Sequence, residues 1–249
     1  MWCFVDESWH NGPSEKIGVL AAVIGPRKQF ELLSRAMYAI RRKYYGEDHA
    51  RDLRRELVGS SLFSNSSFRY SARGYSKNLT VAREVIEWTR GREIRLVGIT
   101  VYGAERPPLL APAPKRLSRP FRELCVRVLA AIPERAKALL VFDQRLGAQE
   151  AISIAVCNYL AGIRGQGKMI PHPCVGVSNV WPGLQLAGIA AHVLGRYATG
   201  DARFDRWYRL ITPLQVDGLD HQQNHIYGLM RLQWEGGEKY VARRLRAKK

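Results

Sequence analysis

Apolar residues follow two rhythms along this chain, and the switches between them mark out its elements. The runs at 2–6 (WCFVD) and 17–24 (IGVLAAVI) are short and continuous, and Asn11, Gly12 and Pro13 lie between them. They predict two strands joined as a hairpin, with the first ending at Asp6. From 28 to 43 the rhythm changes: Phe30, Leu33, Met37 and Ile40 return every three or four positions, and Arg41, Arg42 and Lys43 close the segment. That spacing predicts a helix with cations at its negative end. Residues 46–58 show no clear period, and 56–64 (ELVGSSLFS) runs into a serine-rich patch. A helix over 77–91 stops at a glycine, and 93–103 reads as a strand. After a proline-rich connector at 105–116 come a helix at 118–131, a buried strand at 137–143, a helix at about 148–162 and a short strand near 173–178. A helix then starts near Pro182, a residue suited to a first turn, and runs to about Tyr197. Helical readings extend to 202–211 and to the basic tail EKYVARRLRAKK. Paired strands followed by alternating strands and helices predict an α/β protein with a mixed sheet flanked by helices. Residues 1–200 form the expected domain, and 201–249 a helical, basic C-terminal extension packed on it or trailing from it.

A chain of 249 residues with 46% hydrophobic content is large enough for a core that needs neither disulfide nor metal. Cys3, Cys125, Cys157 and Cys174 are scattered with no C-x-x-C pair, which argues against a zinc ribbon or redox motif and for buried, reduced thiols. No apolar run approaches the roughly 20 residues that a membrane helix needs. The opening residues lack the basic-then-apolar pattern of a secretory leader. These readings together lead to the expectation of a cytoplasmic protein.

Charge sharpens the picture. Lys and Arg total 39 against 22 acids, a net charge of +17, and such an excess marks a polyanionic partner, nucleic acid above all. No cationic amphipathic segment argues for a membrane surface. Basic residues concentrate at 27–55 and 239–249, which makes Arg41, Arg42, Lys43, Arg54, Arg55, Arg243 and Arg244 candidate phosphate contacts. Lys168 joins them from GIRGQGKM at 162–169, a basic loop that misses the phosphate-binding G-x-x-x-x-G-K-[ST] pattern at Met169 and precedes no helix. The interleaved Tyr38, Tyr44, Tyr45, Phe68 and Tyr70 either stack on unpaired bases or pack the core.

Against this basic background three acids stand out by position. Asp6 follows the first apolar run, Glu56 precedes an apolar segment, and Asp143 ends LLVF. Each is either a turn or helix cap or part of a cation site. Acids at one edge of an α/β sheet can converge in a cleft, and clustered like charges then call for a cation. Hard carboxylate oxygens suit Mg²⁺ or Mn²⁺, the ions of phosphodiester hydrolysis.

FVDES at 4–8, RELVGSSL at 55–62, LLVFDQR at 139–145 and VSNVWPGLQLAGIAAHVLGRY at 177–197 together resemble the domain-of-unknown-function 3800 family. That family shows D-E-S-G, E-L-K-G-S, a strand-end acid and Q-L-A-D in this order. The resemblance implies a ribonuclease H-like fold in which Asp6, Glu56 and Asp143 are catalytic, metal-binding acids. The sequence departs from the family at Trp9, at Val58 and, in the acid of Q-L-A-D, at Gly188. Gln185, Gly188 and His192 share one helical face, so His192 either replaces the missing acid as ligand or proton shuttle, or packs as a core histidine. Two functions follow as expectations: a Mg²⁺- or Mn²⁺-dependent nuclease, or a catalytically degenerate relative that binds RNA or DNA, with protein partners in a nucleoprotein complex. In DGLDHQQNH at 217–225, His221 and His225 stand four apart, and either hold zinc on a helix or lie on a polar surface helix.

Overall fold

The computed structural model describes residues 1–52, 54–103, 117–143, 149–162, 166–219, 225–236 and 239–244. The proline-rich connector, the start of the 162–169 loop, and His221 lie outside the described residues.

The expected hairpin forms, with strands longer than their apolar runs. β1 (Trp2–Asn11) and β2 (Lys16–Gly25) pair antiparallel throughout, from Trp2 opposite Gly25 to Asn11 opposite Lys16. β2 is buried on both faces: Val19, Ala21 and Val23 enter one core, and Leu20, Ala22 and Ile24 the other. A continuous apolar run is what a strand covered on both sides requires. β3 (Arg95–Tyr102) pairs antiparallel with β2, β4 (Leu139–Asp143) pairs parallel with β1, and β5 (Cys174–Gly176) pairs parallel with β4.

The first core lies under α1 (Arg27–Tyr45), the short α2 (Glu47–Arg51), α3 (Gly59–Leu62) and α4 (Asn65–Ala72), and α5 (Lys77–Thr89). α1 buries the periodic Phe30, Leu33, Met37 and Ile40. The second core lies under α6 (Arg119–Ala131), with Phe121, Leu124 and Val128, and α7 (Gln149–Gly162), with Val156 and Leu160. Ser76 and Ser118 cap α5 and α6 by accepting the amide protons of Leu79 and Phe121. α8 (Pro182–Ala198) and α9 (Asp205–Ile211) return to the first face. Each buried large apolar side chain contributes about 1.5–3 kcal/mol, so two cores of this extent hold without a metal or a disulfide. Cys3 and Cys125 are buried, while Cys174 is exposed, contrary to the expectation for all four.

The helix read at 202–211 forms as α9, but the region beyond it departs from its helical reading. β6 (Asp217–Leu219) and β7 (His225–Tyr227) form a small antiparallel pair. β8 (Leu229–Gly236) then pairs parallel with β3, and β9 (Lys239–Arg244) antiparallel with β8. The sheet order is β5-β4-β1-β2-β3-β8-β9, so residues beyond 200 extend the same mixed sheet. The physical reason is a succession of open edges: β8 takes the edge of β3, and the free edge of β8 then takes β9, whose Tyr240 and Val241 favour the extended state over a helix. His225 accordingly sits on a strand, with Nε2 2.8 Å from Asp217 Oδ1, and the helical face expected to pair it with His221 does not form at His225. No helix among the described residues is long and apolar enough to cross a membrane.

Candidate active site

Asp6 does not end its strand. β1 continues to Asn11, and it is the neighbour β4 that stops. The β1–β4 ladder closes at Val5 opposite Phe142, so Asp6 and Asp143, each one residue further on, leave the same end of the sheet. Both share the face of Phe4 and Val141, which belong to the first core. Glu56 arrives in the loop before α3. All three expected acids, with Glu7, line one cleft of about 560 Å³.

α8 lies along the same face of β1, and its glycines set how closely. A Cβ added at Gly183, Gly188 or Gly195 would stand 2.0 Å from Phe4, 2.6 Å from Asp6 Oδ2 or 2.0 Å from His10. Between them, Ser8 Oγ donates to the Ala191 carbonyl at 3.0 Å. Alternate residues of β1 thus meet small residues of α8 in succession. Gly188, read from sequence as a lost acid, has a packing reason: the Asp6 carboxylate fills the space where a side chain would project.

Backbone amides orient the acids. Asp6 Oδ1 accepts from the Glu7 N–H at 2.7 Å, and Asp143 Oδ1 from the Ser178 N–H at 3.2 Å. Gln185, buried on α8, joins the Glu56 segment to the loop whose Ser178 amide holds Asp143. Its Oε1 accepts from the Leu57 N–H at 3.0 Å, and its Nε2 donates to the Ser178 and Asn179 carbonyls at 2.9 and 3.3 Å. Glu56 Oε2 is buried without a hydrogen-bond partner among the described residues.

No family model, curated protein or solved structure matches this chain.

The donor set suits a hard divalent cation: carboxylate oxygens, one of them a buried orphan that an ion would satisfy. The fit is one of chemistry and not of a finished cage. Among the described residues no three Asp, Glu, His or Cys groups stand together as a ready metal site.

His192 also lines the cleft but is built as a packed histidine. It stacks on Phe63 at 5.8 Å and meets Phe204 at 5.7 Å and His10 at 5.2 Å. Burial, then His10 and Arg196, lower its pKa to about 3, and burial, then Arg196, lower that of His10 to about 4. A proton shuttle at neutral pH needs a pKa near 7, so this setting argues against the shuttle role for His192. Ser8 Oγ spends its proton on Ala191, so at 2.9 Å it accepts from His10 Nε2–H. Ser8, His10 and Arg196 are among the cleft residues that sequence reasoning missed. The signal for Ser8 and His10 was their alternation with Phe4 and Asp6, legible once β1 is carried past its apolar run.

The expected phosphate contacts lie elsewhere. Arg41 is buried, and its guanidinium donates to the His49 and Asp52 carbonyls at 2.6 and 2.8 Å, so it is a structural residue and not a phosphate ligand. Arg42 stands 3.8 Å from Glu47, Lys43 2.7 Å from Glu84, and Arg54 and Arg55 3.0 and 3.3 Å from Asp52. Lys168 donates to the Ile132 carbonyl at 3.3 Å. None of these lines the cleft. Arg243 and Arg244 are on β9. The cleft's own cation is Arg196, 2.6 Å from Asp201.

Proposed function

We propose that this chain is a metal-dependent nuclease that hydrolyses phosphodiester bonds of RNA or DNA. One observation carries the reading: in a chain of net charge +17, acids from three distant segments, Asp6, Glu56 and Asp143, converge in one cleft. Unrelated caps have no reason to meet, whereas a cation site needs them together. The resemblance to the domain-of-unknown-function 3800 family supports the same residues. The order β5-β4-β1-β2-β3, in which β2 alone opposes its neighbours, is compatible with a ribonuclease H-like fold.

Asp6, Glu56 and Asp143 would hold Mg²⁺ or Mn²⁺. The ion would supply charge neutralisation and a water acidified enough to attack a phosphodiester. The protein's own part is positional. The Glu7 and Ser178 amides aim Asp6 and Asp143, Gln185 ties the Glu56 segment to the Ser178 loop, and Arg196 places a positive charge at the rim for a substrate phosphate. His192 stays neutral and walls the cleft.

A second reading, nucleic-acid binding without cleavage, is favoured by the lack of a ready three-group metal site among the described residues and by the glycine at 188. One assay separates the two. Purified protein is incubated with single-stranded, duplex and hybrid substrates in Mg²⁺ or Mn²⁺. Nuclease function requires cutting by the wild type that Asp6→Asn and Asp143→Asn abolish while oligonucleotide binding persists. Salt-sensitive binding without cutting, or cutting indifferent to both substitutions, sinks it.

A further inference from the structure

Beside the acidic cleft lies a second concavity of about 640 Å³ that no sequence motif announced. It is lined chiefly by Phe68 and Ala72 of α4, Ala202 and Arg203 before α9, and Arg206 and Arg209 on α9. The linings of the two hollows touch. Arg203 Nη1 donates at 3.0 Å to Asn65 Oδ1, and Asn65 lines the acidic cleft. Asp201 binds Arg203 at 2.7 Å and the cleft's Arg196 at 2.6 Å.

The character of this groove is opposite to that of the cleft. Arg203, Arg206 and Arg209 face a single lining acid, Asp205. Among the described residues no carboxylate pairs with Arg206 or Arg209, in contrast to the paired Lys43, Arg54 and Arg55. Arg83 on α5 adds a like charge beside Arg206. Arg206 and Arg209, without a carboxylate partner among the described residues, are in place on a concave surface for an anion to bind between them. Arg203 lies over the Phe68 ring at 4.7 Å and keeps 41% of its side chain exposed. The guanidinium is thus held over the ring while much of the side chain stays open to solvent, a place where an unpaired base can stack.

We propose that this groove is a polynucleotide-binding site, in which Arg206 and Arg209 contact phosphates of a single strand and the Phe68–Arg203 stack receives a base. It rests on the nucleic-acid reading given above, and deepens it by adding a strand path that leads away from the acids. A phosphate chain cannot lie comfortably among four carboxylates alone, and the Asn65–Arg203 junction offers it a continuation of the right sign.

Fluorescence anisotropy with labelled single-stranded oligonucleotides tests the assignment, using wild type and Arg206→Ala/Arg209→Ala across a salt series. Arg203 is left intact because it also holds Asp201 and Asn65. Losing two phosphate contacts lowers the slope of log affinity against log salt by about 1.4 on single strands. Oligonucleotides of about 16 nucleotides lose affinity, while those of about 4, too short to span cleft and groove, change little. An unchanged slope in the double variant overturns the groove while the wild type's own salt-sensitive binding stands. Salt-indifferent or absent binding by the wild type overturns the nucleic-acid reading itself, and the groove with it. Binding of the wild type to phosphatidylserine vesicles that the double variant loses, with oligonucleotide binding unmoved, would assign the arginines to a membrane surface instead. Circular dichroism and thermal melting verify folding. Should the double variant fail there, Arg209→Ala alone, whose guanidinium has no partner among the described residues, carries half the slope change.

Discussion

Gln185 is where stability and site geometry meet. Its amide is buried, and all three of its hydrogen bonds reach segments that carry site residues: Leu57, next to Glu56, and Ser178 and Asn179, next to the amide that holds Asp143. Gln185→Leu keeps the bulk and removes every one of these bonds. The Leu57 N–H is left buried without a partner, and two carbonyls lose a donor. An orphaned buried group costs about 1–3 kcal/mol; one full orphan and two weakened acceptors sum to about 3 kcal/mol. A domain of this size shifts by about 2–4 °C per kcal/mol, so melting should fall by roughly 6–12 °C. Gln185→Glu separates the two ends of the amide: it keeps the acceptor for Leu57 but turns a carboxylate oxygen toward two carbonyls, so it too should destabilise. Urea denaturation followed by circular dichroism gives the free energies, and calorimetric Mn²⁺ titration gives the cation affinity, which should weaken in both variants. If Gln185→Leu unfolds within about 0.5 kcal/mol of wild type, or loses stability with cation affinity unmoved, the amide is not the link between the Glu56 segment and the Ser178 loop that holds Asp143.

Three further outcomes are expected. The folded pKa values of His10 and His192, about 4 and about 3, lie below the ordinary 6.5, so the unfolded chain binds the extra protons. Their contribution is complete above about pH 6.5 and is lost as pH falls toward 4 and then 3, at up to about 1.4 kcal/mol per pH unit for each histidine; urea midpoints at pH 7, 6 and 5 should show it, with a shallower slope in His192→Phe. Gly188→Asp should lower cation affinity and stability, the latter by about 1–3 kcal/mol, because its Cβ displaces the Asp6 carboxylate; a gain in cutting would refute that account of the glycine. Arg41→Ala should cost about 2–4 kcal/mol by orphaning two carbonyls and removing buried packing, yet leave the salt dependence of oligonucleotide binding unchanged.

Much of the fold was legible because periodicity is a local property. The spacing of Phe30, Leu33, Met37 and Ile40 is repeated in the buried stripe of α1, and the run ending at Asp143 is β4. The three acids were legible as residues at the ends of apolar segments; the meeting of Asp6 with Asp143 follows from the parallel pairing of β1 with β4, whereas Glu56 comes from the loop before α3. The C-terminal strands were not legible, since what makes β8 extended is the edge of β3, more than a hundred positions away in the chain, and β9 then pairs with β8. Arg41 misled for a related reason: a guanidinium in a basic run looks solvated until the carbonyls of His49 and Asp52 fold around it. The glycines of α8 carry meaning only beside β1, which no single-segment reading contains.

The pairing of β8 with β3 bears on how the chain reaches this state. β3 emerges from the ribosome well before β8, and until β8 arrives its outer edge presents a row of unsatisfied amides and carbonyls, with Ile99 and Val101 beside it. A polypeptide cut after residue 200 would retain every acid of the cleft and still carry that open edge. Such a fragment would be prone to pair with its own copies, so the cleft acids and the strand that covers the open edge of β3 come from different parts of the chain.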